Sequence, residues 1–315
     1  MLKLIVISTT INLSIEEYSK KAPMALWDIS LSIFYILVFI IAVPGNALAL
    51  WAFFQDKSTS SFKVFLRNLS IADISYVLIL PMRIVYHLSD GYWPFGSILC
   101  QVSFFLFYLN MYCSLFLMSL ISLDRFLAIV LPLRSQKIRK PLNAKISLVI
   151  LWVIVTVSMS PSLFSKKNHD NSTVVCSMLY LQKTSPNALI STAVAFLIPF
   201  ITIIISCVLI LLKLRKLKQQ EGRPIKAKAI QMIILILMNF LFAFVPYHVC
   251  RIIYTQSQSL EQVATMNRSL ERANQITSAL TCISGALDPV MYFFLNRAYR
   301  KTFFKLFYKN RNHGL

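Results

Sequence analysis

The chain has 315 residues, of which 57% are hydrophobic and only 14% charged, with mean hydropathy +0.65 and net charge +20. A soluble domain carries about 25% charged residues, so this composition excludes a chain whose whole surface faces water. A strongly basic soluble protein would suggest nucleic acid, but here the cations are split among gaps between apolar blocks, which excludes a nucleic-acid polymer as partner.

In chain order, residues 1–29 form an N-terminal segment. Met1–Ile7 holds one lysine and a brief apolar run. A signal peptide needs a longer apolar core and a small-residue cleavage site, so the first span is expected to act as the targeting signal. Crossing a bilayer as helix takes about 20 apolar residues. Blocks of this kind run over roughly 30–54, 64–88, 98–130, 144–164, 187–214, 228–254 and 273–295. Backbone groups in hydrocarbon must bond within their own segment, so these blocks are predicted helices; a barrel would show short alternating segments instead. The connections are too short for a separate domain, and there is no repeat or low-complexity tract.

The expected fold class is therefore an all-α membrane protein: a seven-transmembrane helix bundle over residues 30–295 with a short amphipathic eighth helix within 296–315. In that last segment Tyr299, Phe303, Phe304, Phe307 and Tyr308 interleave with Arg and Lys at three- and four-residue spacing. This pattern suits a helix lying on an anionic leaflet, so membrane lipids are expected partners.

Lys57, Lys63 and Arg67 flank the first gap on one side of the membrane. Six cations from Arg125 to Lys145 fall at the second such gap, seven from Lys213 to Lys228 at the third, and six from Arg297 to Arg311 in the tail. The positive-inside rule makes this side cytoplasmic and puts the N-terminus outside. Cys100 and Cys176 then fall outside, where disulfides persist, whereas Cys113, Cys207, Cys250 and Cys282 lie within spans and read as small apolar residues. Asn12, Asn171 and Asn267 head glycosylation sequons in outer segments. Asn68 heads another, but at the inner start of span two, and is rejected.

Ionisable residues within spans are costly and tend to mark function. Asp73 lies mid-span in LSIADISYVLILP and Asp288 deep in span seven in SGALDPVMYFFLN. Two carboxylates facing one interior repel unless a cation or proton lies between them. Asn46, Ser114 and Ser284 could complete an oxygen-rich site for a hard cation such as an allosteric sodium ion; the alternative is protonation or packing. No other cofactor is expected. Pro44, Pro81, Pro161, Pro199, Pro246 and Pro289 fall inside spans, where each removes a hydrogen bond and is expected to bend its helix.

Gly45–Asn46, LxxAD ending at Asp73, Trp93 before Cys100, Asp124–Arg125–Phe126, Trp152 and Pro199 stand in order along the spans. Phe240, Phe244–Val245–Pro246–Tyr247 and Asp288–Pro289–Val290–Met291–Tyr292 continue the series. Together they resemble rhodopsin-type (class A) G protein-coupled receptors over roughly residues 30–310. The stretches LPMRIVYH (80–87), YWPFG (92–96), FLFYLNMY (105–112), SLDRFLAIV (122–130), PYHVCR (246–251) and ANQITSALTCISGALDPVMYFF (273–294) are similar to the nucleotide and lipid-mediator branch.

The resemblance implies a receptor at the plasma membrane and not an enzyme. Agonist binding would favour an outward-swung span six, and a heterotrimeric G protein, of the inhibitory class by resemblance, would couple to it. It gives activation and coupling to Asp124, Arg125, Phe240, Phe244, Pro246, Asp288, Pro289 and Tyr292, with Arg125 held by Asp124 at rest. Arg83, Tyr86 and His87 of span two, Tyr108 and Tyr112 of span three, and Tyr247, His248 and Arg251 of span six form a candidate pocket. Guanidinium groups bind phosphate or carboxylate, so the expected ligand is a uracil nucleotide, a cysteinyl leukotriene or a related acidic lipid. The alternative is that Arg83 and Arg251 snorkel to headgroups; Arg268 and Arg272 are expected to be solvated loop cations.

Three departures stand out. Cys207 occupies a position where the family usually has a tyrosine that helps hold the active state, which leaves a non-signalling decoy open. No cysteine precedes Cys100 or falls between Cys250 and Cys282, so a second outer disulfide is not expected. The tail lacks a cysteine for palmitoylation and has Thr302 as its one non-phenolic hydroxyl. Among rival functions, residues 273–295 hold no lysine for retinal, and neither the inverted repeat of a transporter nor the polar lining of a channel is visible.

Overall fold

The computed structural model describes residues 26–56, 60–163, 176, 179–180, 186–216, 223–259 and 264–309. Among these, seven helices are long and apolar enough to cross a membrane: Leu26–Gln55, Ser61–Leu88, Gly96–Val130, Pro141–Met159, Ile190–Lys216, Ala229–Ser257 and Ser269–Leu295. They are numbered below as spans one to seven. The expected sequons at Asn12 and Asn171 lie outside the described residues.

The distribution of side chains is the reverse of a soluble protein. Ile33, Ile40, Ile154, Ile205 and Ile234 are exposed on the outside, while Asn46, Asp73, Arg83, His87, Asn239 and Asp288 are buried within. Only an apolar solvent makes that arrangement stable, because an exposed apolar belt of this extent would drive association in water. Span three is the central post. Met111, Cys113, Leu115, Leu117, Met118 and Ile121 along it are almost wholly buried, and it touches spans two, four and five and the lower half of span six.

Small residues let the helices approach closely, as expected where lipid offers no hydrophobic drive between spans. Gly45 is the sharpest case: a Cβ there would sit 2.6 Å from Cγ of Pro289 in span seven. Asn68, rejected as a glycan site, accepts a 3.3 Å hydrogen bond from the Trp152 indole and ties span two to span four.

Three of the six prolines within spans lie at or beside an interruption of the regular helix. Span two breaks into Ser61–Val77 and Leu80–Leu88 just before Pro81, and span four ends in a 3-10 turn, Ser160–Leu163, that contains Pro161. A π-turn, Phe240–Phe244, precedes Pro246, absorbing the lost hydrogen bond with one extra residue. Pro44, Pro199 and Pro289 instead lie inside uninterrupted helices, where neighbouring turns carry the helix past the missing donor. Span seven breaks at Cys282, between Ala264–Thr281 and Ile283–Leu295. The helix leading into span seven starts at Ala264, so the stretch expected as loop is helical, and Arg272 lies in it with its guanidinium 5.2 Å from the Trp27 ring centre.

The terminal helix, Arg297–Lys309, starts at Asn296, whose side-chain oxygen accepts from the backbone N–H of Ala298 at 2.8 Å and of Tyr299 at 3.2 Å. Tyr299 is buried against Tyr292, and Phe303 packs on Phe293. Phe304 and Leu306 face outward, free to enter a leaflet. Burial pushes the Tyr299 phenol above its ordinary pKa.

Candidate functional site

One end of the bundle carries the disulfide. Cys100, at the start of span three, is bonded to Cys176 with Cα atoms 5.8 Å apart, the pairing expected from compartment. This bond anchors a short piece of chain that sequence reading overlooked: Leu179 and Tyr180 are buried, 1% and 4% exposed, over the mouth of the bundle. Tyr180 is a junction for four spans. Its hydroxyl lies 3.3 Å from that of Tyr35 in span one and hydrogen-bonds Nε2 of His87 in span two. Its carbonyl accepts from Asn274 of span seven at 2.7 Å and Arg251 of span six at 3.5 Å. Burial raises the Tyr180 phenol well above its ordinary pKa, so it stays neutral and keeps its proton to donate.

All eight residues expected to line a pocket converge at this end, and all are buried. Arg83 is fully enclosed. It donates to the Leu179 carbonyl at 3.2 Å and the Tyr35 hydroxyl at 3.5 Å, and its guanidinium carbon lies 4.4 Å from the Phe107 ring centre. Its Nε has no partner, and no carboxylate among the described residues pairs with it. Snorkelling is thus overturned for Arg83 and Arg251: both heads point into the bundle. His87 uses Nδ1 to reach Asp28 of span one at 2.8 Å. Tyr86 packs edge-on against His87.

The second half of this cluster is aromatic. Tyr108 and Tyr247 share a 2.6 Å hydrogen bond between hydroxyls, and Tyr112 stacks on Tyr108. His248 stacks on Phe196 at 4.2 Å, its Nδ1 bonded to the Phe244 carbonyl and its Nε2 unpartnered. The orphan polar atoms Arg83 Nε and His248 Nε2 give this end unsatisfied donor or acceptor capacity, which a polar ligand could use.

Midway down lies the polar centre. Asp73 and Asp288 are 1% and 0% exposed and close enough to interact. Asn110 of span three donates to Asp73 Oδ1 at 3.3 Å and lies 3.4 Å from Ser114, and Asn239 of span six donates to Asp288 Oδ1 at 2.8 Å and lies 3.4 Å from Ser284. Asn46 donates to the Gly285 carbonyl at 2.8 Å. Oδ2 of both aspartates, Oδ1 of Asn46 and Asn239, and the Tyr292 hydroxyl are left without partners. The expected set is brought together. Asn110 and Asn239 were missed, although amides inside spans invite the test applied to Asp73.

At the far, cation-rich end, Asp124 is 4% exposed and holds two arginines. Arg125 donates through Nε at 3.1 Å and through a closer Nη2 contact to Oδ2, and Arg139 donates to Oδ1 at 3.1 Å. The Arg125 guanidinium carbon also lies 4.0 Å from the Phe62 ring centre. Arg139 was counted as a loop cation, not as a partner of Asp124; nothing in its spacing signals the contact. Phe240 and Phe244 fill the core of span six at its π-turn and Pro246 follows; Pro289 and Tyr292 are buried in span seven.

The chain is similar in sequence to known proteins. Residues 45–292 match the family described as 7 transmembrane receptor (rhodopsin family). The chain is 46% identical over 302 residues to the human uracil nucleotide/cysteinyl leukotriene receptor, covering 95% of this chain and 82% of that one. The rat protein of that name is 45% identical, with 95% and 88% covered. A rat purinoceptor is 31% identical over 277 residues, with 85% and 74% covered. Seven apolar spans and these matches make the chain a multi-pass plasma-membrane protein that belongs to the rhodopsin family of G protein-coupled receptors.

Proposed function

We propose that the receptor answers an extracellular anionic ligand, a uracil nucleotide, a cysteinyl leukotriene or a related acidic lipid, and couples to a G protein of the inhibitory class. In this reading the disulfide-bearing end faces outside and the cation-rich end the cytoplasm, which the distribution of Lys and Arg supports. The observation that carries the ligand class is Arg83: a buried guanidinium whose partners are phenols, rings and one carbonyl. A buried charge without a counter-charge is costly, and an anionic ligand supplies the missing one. Arg251 and His87 flank it, and Tyr108, Tyr112 and Tyr247 offer ring faces for an apolar or nucleobase part. The relatives named for nucleotides and leukotrienes favour the same class.

The polar centre fits a sodium ion. Oδ2 of Asp73 and of Asp288 and Oδ1 of Asn46 are unpartnered acceptors, and Ser114 and Ser284 stand beside them, the hard-oxygen set such a cation takes. Bound there, the ion would offset the repulsion of two carboxylates and hold spans one, two, three and seven together.

The test is a cell-signalling assay with uridine nucleotides, cysteinyl leukotrienes and acidic lipids, with Arg125→Ala as the uncoupled control. Arg251→Ala should weaken the active agonist more than it lowers surface expression. Equal losses, or a response untouched by Arg125→Ala, would count against the reading.

A further inference from the structure

The cation-rich end holds a cavity of about 500 Å³ that neither the ligand nor the ion proposed above uses. Its lining includes Lys63 at the start of span two, Arg125 at the end of span three, Arg139 in the turn that follows, and Arg297 and Arg300 of the terminal helix, with Asp56 the lining acid. The carboxylates do not balance these cations. Asp56 pairs with Lys63, and Asp124 with Arg125 and Arg139. No carboxylate among the described residues pairs with Arg297 or Arg300. Five cations thus face two carboxylates across walls that include Phe62 and Leu295, and low-dielectric walls concentrate such a field on a counter-ion.

Size and access agree. Small-molecule sites occupy about 300–1,000 Å³, and the cations stay reachable: Arg297 is exposed, Arg300 half-buried, and the Lys63 and Arg139 side chains are 30% and 26% exposed. They come from three separate segments, so they meet a ligand from several sides, which favours several phosphate groups over one. Phe304 and Leu306 on the outward side of the same terminal helix set it against the membrane surface.

We propose that this cavity binds a multiply phosphorylated anion, held by Lys63, Arg139, Arg297 and Arg300. The chemistry is shared by a phosphoinositide headgroup in the adjoining leaflet and by a soluble inositol polyphosphate. The site is independent of the outer ligand and of the sodium proposal.

The test uses the full-chain receptor in phosphatidylcholine nanodiscs. Phosphatidylinositol bisphosphate is added in one arm, phosphatidylserine at equal charge in a second, and inositol hexakisphosphate in solution in a third, with bound anion counted by native mass spectrometry. Saturable retention of the bisphosphate lipid assigns the headgroup, retention of the soluble anion assigns the free form, and either supports the site. Arg297→Gln with Arg300→Gln should lower apparent affinity about tenfold for each charge-assisted hydrogen bond removed. Lys305→Gln, on the exposed part of the same helix, should leave it unchanged. If the double variant melts early, Lys63→Gln with Arg139→Gln reads the cavity from its opposite wall. Phosphatidylserine retained as well as the bisphosphate lipid, or affinity unmoved in folded cavity variants, would overturn the proposal.

Discussion

Replacing Arg83 with methionine separates a charge kept for a ligand from one kept for folding. In the ligand-free receptor the variant forfeits two long hydrogen bonds to neutral partners, at 3.2 and 3.5 Å, about 0.5–1.5 kcal/mol each. It also forfeits contacts over Phe107 at 4.4 Å and Tyr180 at 5.3 Å, about 0.5–2 kcal/mol each. Against these stand the desolvation of a guanidinium, several kcal/mol by itself, and an orphaned Nε worth about 1–3 kcal/mol. The terms are of similar size, so folded stability should move by no more than about 2 kcal/mol in either direction. The ligand has no such compensation. Losing one or two charge-assisted hydrogen bonds, about 1.5–3 kcal/mol each, lowers agonist potency by at least about tenfold. Thermal unfolding of the purified ligand-free receptor and concentration–response curves at matched surface expression measure the two effects. A stability loss beyond about 4 kcal/mol, the scale of a broken buried ion pair, would make Arg83 structural. So would unchanged potency.

Four other substitutions probe the remaining contacts. Gly45→Ala drives a methyl to 2.6 Å from a proline ring that cannot rotate away, so the melting temperature should fall as expected for about 1–3 kcal/mol of overpacking; an unshifted melt would mean the spans part freely there. Tyr180→Phe keeps the ring and carbonyl but strands Nε2 of His87 and leaves the Tyr35 hydroxyl with Arg83 alone, at about 1–3 kcal/mol for an orphaned buried group, and hydrogen exchange near the disulfide should quicken; unaltered exchange would show that the hydroxyl ties nothing. Asp124→Asn weakens the hold on Arg125 and Arg139, and ligand-independent G-protein activation should rise; basal activity at the wild-type level in a well-expressed variant would remove Asp124 from the resting-state lock. Asp73→Asn should abolish the dependence of agonist affinity on sodium, read by exchanging sodium for choline; persistence of the dependence would move the ion elsewhere.

The spans were legible because the bilayer writes a strong, local signal: some 20 apolar residues with punctuating charges. Asp73 and Asp288 were legible for the complementary reason, since a carboxylate in hydrocarbon has few innocent explanations. Asn110 and Asn239 carry the same signal at lower cost and were passed over because an amide can hide in a helix. Tyr180 carries no such signal. It lies in a connection without periodicity, and its importance comes from a hydroxyl and a carbonyl meeting four spans that are distant in sequence. The breaks in spans two and six follow from Pro81 and Pro246, yet Pro44, Pro199 and Pro289 did not break theirs, because the local backbone alone does not decide how neighbours repair a missing donor. The early start of the helix leading to span seven was missed because residues 264–272 are polar, and hydropathy marks where lipid begins, not where helix does.

The two ends of the bundle treat their arginines oppositely, and the difference bears on signalling. At the disulfide end Arg83 is enclosed with neutral partners, so the resting protein leaves a charge for an incoming anion to neutralise. At the other end Arg125 and Arg139 share the buried carboxylate of Asp124, so leaving the resting state must expose or re-pair them. Under the proposed function, ligand binding would therefore complete an electrostatic arrangement while activation would dismantle one. The two are coupled only if the outer ligand interacts more favourably with the state in which the inner pair has separated. Between them stand Asp73 and Asp288, whose Asn110 and Asn239 partners belong to spans three and six. Span six carries Arg251 above its π-turn and Asn239 just before it, so a rotation about that turn shifts the guanidinium relative to the aspartate partner. Under the proposed function, that turn is where an anion's charge at Arg251 would be passed on toward Arg125.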